Sequence, residues 1–211
     1  MAKRYILFVV SLFFSALGVA ITKRAELGVS PISSVPNVIS LQFTEISFGY
    51  WLIVWNCVLV LGQILLLRKR FQPIQLLQIP LSFVFGWFTD FGVWITSFWS
   101  NEFYALRLFY VVLGTVTLGF GIALSVIADV IMNAGEAFVR VVSDTTHKDF
   151  GSLKIVFDVL CVVLSIILSL VFFDFTIVGT REGTVIAALL TGFLVKILTK
   201  PLRKPLEKLL A

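Results

Sequence analysis

Glu136 and Arg140 are the acid and base best placed to act together: they stand four residues apart with the acid N-terminal, the order a helix favours for an ion pair. Inside hydrocarbon an unpaired charge costs several kcal/mol, so such a pair either neutralises itself and holds the fold or neutralises a bound ligand. Asn56 and Asp158 form a second set. A carboxylate at membrane depth either binds a proton and couples its movement to transport, or hydrogen-bonds broken backbone nearby. Ser30, Ser33, Ser34, Asn37 and Asn133 add hydroxyls and amides that line a cavity or act as small polar glue between helices.

These roles presuppose hydrocarbon around the residues, and the composition supplies it. Of 211 residues 59% are hydrophobic and 14% charged, with a mean hydropathy of +1.02, far from the balance of a soluble domain. With so little polar surface, the formal charge of +5 is a matter of membrane topology rather than of nucleic-acid binding. Cys57 and Cys161 lie in apolar segments with no CxxC or His-rich spacing beside them, so neither a disulfide framework, a metal site nor a cofactor is expected. The chain carries no HExxH, GxSxG, Cys-His pair or P-loop, and an enzyme is the least favoured class. His147, among Asp144, Lys148 and Asp149, reads as a solvated loop residue, and Trp51, Trp55, Trp87, Trp94 and Trp99 as contacts near the ends of spans.

Crossing about 30 Å of hydrocarbon takes about 20 apolar residues at helical rise. Six stretches qualify, near 5–22, 49–67, 77–98, 107–128, 152–173 and 183–199. Lys3 and Arg4 before an apolar run ending near Gly18 and Ala20 also fit a cleaved signal peptide, but cleavage would remove a helix that has a counterpart in the second half. Basic residues set the orientation. With both termini cytoplasmic, Lys3, Arg4, Arg68-Lys69-Arg70, Lys148 and the tail residues Lys200, Arg203, Lys204 and Lys208 fall inside, leaving Lys23, Arg24, Arg107 and Arg181 outside.

An internal repeat organises the chain. Moving Phe48-Gly49 onto Phe150-Gly151 also brings Ile53-Val54 onto Ile155-Val156, Asn56 onto Asp158 and Val60 onto Val162; one residue more places Gly18-Val19-Ala20 over Gly121-Ile122-Ala123. Residues 1–100 and 101–211 thus form two units of three crossings each. An odd number makes the second unit enter from the opposite side, an inverted repeat. In each unit a segment too polar for lipid and too apolar for a plain loop, near 28–46 and 131–147, reads as a re-entrant half-helix. Ser30 before Pro31 is a helix start, and Asn133 with Glu136 three residues on is a variant of the capping box. Two such starts pointing inward make a hydrogen-bond-donating centre for an anionic or polar group. Aligning Gly86 with Gly192 makes Asp90 and Lys196 equivalent, but inverted symmetry puts them at opposite membrane faces, where Lys196 snorkels.

Leu27-Gly28-Val29-Ser30-Pro31, Asn133-Ala134-Gly135-Glu136 and Arg181-Glu182-Gly183-Thr184 resemble motifs of the YczE/YyaS/YitT group of bacterial membrane proteins. The chain departs from them at Ser30, where those motifs carry glycine, at Ile32-Ser33 in place of an aromatic-acid pair, and at Gly135-Glu136 in place of Arg-Asp. The resemblance implies an integral membrane protein, with transport suggested for some members. The expectation is therefore an all-α, multi-pass protein of the cytoplasmic membrane: six transmembrane helices as a 3+3 inverted repeat with two re-entrant segments. Its expected function is secondary transport of a small polar, zwitterionic or amphipathic compound, driven by an ion or proton gradient. Membrane lipid, a small-molecule substrate and a second copy of the chain are the partners this admits. A non-transporting assembly partner or a lipid-binding protein is the alternative.

Overall fold

Apolar runs become helices in lipid because only a helix satisfies each backbone N–H and C=O within its own segment. The computed structural model describes residues 2–210. Its helices are α1 (Ala2–Arg24), α2 (Pro31–Gln42), α3 (Phe48–Leu67), α4 (Gln78–Thr96), α5 (Tyr104–Ala128), α6 (Ala134–Thr146), α7 (Phe150–Phe172) and α8 (Glu182–Leu210), with no strand among the described residues. All except α2 and α6 are long and apolar enough to cross a membrane, the composition of a multi-pass membrane protein. At 12 and 13 residues, α2 and α6 reach only about 18–20 Å, well short of the hydrocarbon thickness.

Hydrogen bonds between helix ends fix the directions. Arg4 Nη1 reaches the Ala128 carbonyl at 3.3 Å, so the start of α1 lies beside the end of α5. Gly183 N–H donates to the Leu27 carbonyl at 2.8 Å, bringing the start of α8 to the chain that leaves α1. Gln63, late in α3, and Gln78, at the start of α4, exchange reciprocal amide bonds at 3.0 and 3.1 Å. Both described ends of the chain therefore share one face of the bundle, here the terminal face; the ends of α1 and α4 lie at the far face.

The eight helices sort into two groups. In one, α5 packs on α1 and α8, and α1 packs on α4; in the other, α2 packs on α7, α3 on α6, and each short helix on its neighbour in sequence. The first group is sealed along α1 and α5 by small residues. A Cβ on Gly114 would lie 2.7 Å from the Gly18 carbonyl, and one on Gly121 2.8 Å from the Ser11 carbonyl, so these backbones touch only because glycine stands there. Ser11 and Thr22 return their hydroxyls to the Phe8 and Val19 carbonyls at 2.6 and 2.8 Å, which lets them face the seam without an unmet polar group.

The groups are joined unequally. Helix α3 packs closely on α4, where a Cβ on Gly86 would meet the Gly49 carbonyl at 2.7 Å. Helix α7 barely touches α8: a Cβ on Gly192 would meet nothing within 4 Å, and one on Gly151 only the Asp149 carboxylate.

The spans expected from hydropathy match the long helices, with one extension. Helix α8 runs through Pro201 and Pro205 to Leu210 instead of ending near residue 199. Each proline removes one N–H, but the carbonyls left free lie among exposed Lys200, Arg203 and Lys204, where water supplies the donor. At 29 residues α8 is about 43 Å long, so its basic end projects past the hydrocarbon. Asp90 lies at the far face and makes no pair with Lys196.

Candidate functional site

Between the two groups, toward the terminal face, lies a cavity of about 460 Å³. One wall comes from α1, α4, α5 and α8 through Ser15, Val19, Gln78, Ser82, Phe85, Leu118, Ile122 and Thr191; the other carries the starts of α2 and α6 with Leu52, Asn56, Lys154 and Asp158. Gly151 and Gly192, which do not meet, both line it. The gap between α7 and α8 is thus continuous with the cavity.

Both short helices begin at the cavity with the same backbone: Ser30 has φ −57° and ψ 149°, Asn133 φ −57° and ψ 150°. Neither side chain caps its helix, and the Ser30 hydroxyl donates instead to Ser33 Oγ at 2.9 Å. The capping-box bond expected from Asn133 and Glu136 is therefore not made. Pro31 has no N–H and the Ser33 N–H turns onto the Ser30 carbonyl at 2.9 Å, so α2 offers the Ile32 N–H alone. The opening turn of α6 has no side-chain cap, and each start carries the positive end of its helix dipole to the cavity wall. The path into α2 is set by Gly28, whose φ of +107° and close approach to the Arg181 N–H suit glycine alone. Gln63 Nε2 holds the start of α6 through the Ala134 carbonyl at 3.3 Å.

The charges of the cavity all come from α6 and α7. Lys154 and Asp158 pair within α7, four residues apart and largely buried. Glu136, in the first turn of α6, makes no ion pair among the described residues. With the lysine committed to Asp158, one carboxylate is left over. The amide of Asn56 faces the cavity with no partner among the described residues, and Ser15 Oγ is buried there without a hydrogen bond. Asp149, outside the cavity, starts α7 by accepting the Ser152 N–H and hydroxyl at 2.8 and 3.1 Å; these bonds hold its exposed carboxyl below the ordinary range.

Of the residues singled out in the sequence, the cavity gathers Ser30, Ser33, Asn133, Glu136, Asn56 and Asp158. Three lie elsewhere. Arg140 is exposed and pairs with Asp144 at 3.2 Å, so the expected Glu136–Arg140 pair does not form. The reason is solvation: Arg140 has an acid four residues away on either side, and Asp144 lies in the exposed last turns, where the guanidinium stays hydrated. Ser34 is fully buried against α7, donating to the Pro31 carbonyl at 2.6 Å, which is helix glue. Asn37 sits at the far face, accepting from Lys23 Nζ at 2.8 Å and donating to the Gly179 carbonyl at 2.8 Å. Sequence reasoning missed Lys154, although its spacing to Asp158 is the same four-residue signal read at Glu136 and Arg140. Ser15, Gln78 and Ser82 had no signal of their own.

The sequence model of a family described as "Family of unknown function (DUF6198)" matches residues 2–200. No curated protein and no solved structure matches the chain.

Proposed function

From a chain that belongs to this family of unknown function, we propose a small secondary transporter of the cytoplasmic membrane, its terminal face toward the cytoplasm, working by alternating access. In this reading residues 1–100 and 101–211 are an inverted repeat, and α2 and α6 are its re-entrant half-helices. The helix starts support the repeat: Pro31 answers Ala134, Phe48 answers Phe150, Gln78 answers Glu182, and Ser47 and Asp149 each cap their helix by accepting an N–H three residues on. The YczE/YyaS/YitT-like motifs point the same way.

One observation carries the proposal: equivalent glycine pairs are shut in one unit and parted in the other. Gly49 meets Gly86, while Gly151 and Gly192 both face the cavity. A repeat whose two copies hold different conformations of the same contact has a second state ready, in which α7 closes on α8 and α3 leaves α4. The present state is open toward the cytoplasm.

The substrate class follows from the charges. Uncapped starts of α2 and α6 favour a carboxylate or similar acceptor, and the uncommitted Glu136 favours an ammonium or other cationic group. A small zwitterion satisfies both. Glu136 and Asp158 are the groups that would carry a coupling proton. The apolar walls and the lateral gap between α7 and α8 favour, as the second reading, an amphipathic compound entering from lipid.

The test is uptake into proteoliposomes under an imposed pH gradient, using panels of zwitterions, cations, anions and amphipaths. Gradient-driven accumulation of a zwitterion that is lost in Glu136→Gln is expected. Folded protein that moves none of the panels would refute transport.

A further inference from the structure

A second cavity, of about 510 Å³, opens at the far face and is separate from the one already described. It lies between the end of α1, the end of α4, the outer part of α2 and the loop joining α7 to α8. Its wall holds Lys23, Arg24 and Arg181 against a single acid, Glu26. That acid is engaged elsewhere, pairing with Arg107 at 3.5 Å, and Arg181 has its own partner in Glu182 at 3.3 Å. Asp90, the next carboxylate, accepts from Ser47 Oγ and Gly49 N–H at 2.5 and 2.7 Å.

Lys23 and Arg24 make no direct ion pair among the described residues: their hydrogen-bond partners are neutral, and Asp90 acts on Lys23 only from a distance. Lys23 Nζ donates to Asn37 Oδ1 at 2.8 Å and Ser40 Oγ at 3.1 Å and sits 4.1 Å from the Phe48 ring centre. Arg24 Nε donates to the Trp99 carbonyl at 2.9 Å, and its Nη2 reaches the same oxygen. Both residues are half-buried. Those bonds leave one ammonium N–H and the Nη1 edge of the guanidinium free. Two half-buried cations with no direct ion pair, near an Asp90 carboxylate that Ser47 and Gly49 already hold, leave the wall of a cavity large enough for a metabolite with an excess of positive charge that an anion balances.

The geometry points to a binding site for a small oxyanion, a carboxylate or phosphate group, held by Lys23 and Arg24 at the far face. This site stands apart from the transport reading, since its residues and its cavity are not those of Glu136 and Asp158. An oxyanion can arrive as a free solute or as a lipid headgroup, and the two sources separate experimentally.

Thermal unfolding of the full-length protein in a neutral detergent is followed in sodium acetate and in sodium phosphate, against sodium chloride at equal ionic strength. Parallel samples are placed in nanodiscs of phosphatidylcholine with and without phosphatidylglycerol. The expected result is a saturable stabilisation by acetate or phosphate over chloride, weakened at least tenfold in apparent affinity by Lys23→Gln and by Arg24→Gln. Arg140→Gln, which removes the same charge from the opposite face, should respond like the parent. Stabilisation by phosphatidylglycerol alone, lost in the same two variants, supports the site with a lipid headgroup as its anion. Should Lys23→Gln fail to fold, Arg24→Gln decides by itself, because its partner is an exchangeable carbonyl contact. No preference for oxyanions in either setting, or a preference unchanged in Arg24→Gln, overturns the site.

Discussion

The N–H of Gly49 donates to the Asp90 carboxylate at 2.7 Å, so a single acid ties the start of α3 to the end of α4. Ser47, the residue that caps α3, donates to the other oxygen of the same group. Under the proposed repeat Lys196 occupies the place of Asp90, and an ammonium cannot accept an N–H. The tie therefore exists in one unit only. Replacing Asp90 with Asn keeps the shape but removes the charge, and should cost about 1–3 kcal/mol, read as lowered thermal stability in detergent. Lys196→Gln should leave stability unchanged.

Gly86 and Gly192 should respond oppositely to the same substitution. Alanine at 86 would press on the Gly49 carbonyl and on Ile53, at a cost of roughly 1–3 kcal/mol. Alanine at 192 meets open space and should be neutral. A tryptophan at 192 is expected to fold normally while filling the gap and blocking closure of α7 on α8, so net flux stops although the protein stays folded. Normal flux in Gly192→Trp would count against alternating access through that gap.

Glu136 and Arg140 should part company in mutagenesis. Glu136→Gln is expected to abolish binding or uptake with normal size-exclusion behaviour, whereas Arg140→Gln loses only a surface pair with Asp144 and should change stability by less than about 1 kcal/mol. Equal loss of uptake in both variants would contradict the arrangement described for α6.

Lys154 and Asp158 lie between the surface and buried limits for an ion pair, with side chains 26% and 19% exposed. Removing either alone should destabilise by roughly 1–3 kcal/mol, because the remaining charge is stranded at the cavity wall. The double variant Lys154→Met/Asp158→Asn should recover most of that loss. A double variant as unstable as the sum of the singles would show that the two do not interact.

Cysteine labelling in intact cells tests the orientation. Positions in the loops after α2 and α4, near residues 45 and 101, should react with an impermeant reagent, while positions near 69 and both ends of the chain should react only after permeabilisation. Reaction of position 69 from outside would reverse the proposed sidedness, and with it which cavity faces the cytoplasm.

Much of this arrangement is legible in the chain. Length and hydropathy suffice for the six long helices, and Ser30-Pro31 and Asn133 mark the true starts of α2 and α6 because the backbone there obeys local rules. Side-chain partners are another matter. Arg140 has equally spaced acids at 136 and 144, and only the depth of each in the bundle decides between them. Asn37 and Ser33 share one short polar segment in the sequence, but four residues of helix carry Asn37 about 6 Å away, toward the far face. The spacing of Lys154 to Asp158 is legible as a helical pair, but its place at the cavity is set by tertiary position.

The glycine seam of α1 and α5 has a mechanical consequence. Contacts between side chains can be re-made by changing rotamers, so such interfaces yield by small increments. Where Gly18, Gly114 and Gly121 lay one main chain on another, there is nothing to rearrange, and the two helices must move as one rigid shaft. Sliding is thereby removed from the available motions and turning about the shaft is left. Strain introduced at either face would be carried to the other undiminished, as torque is along an axle.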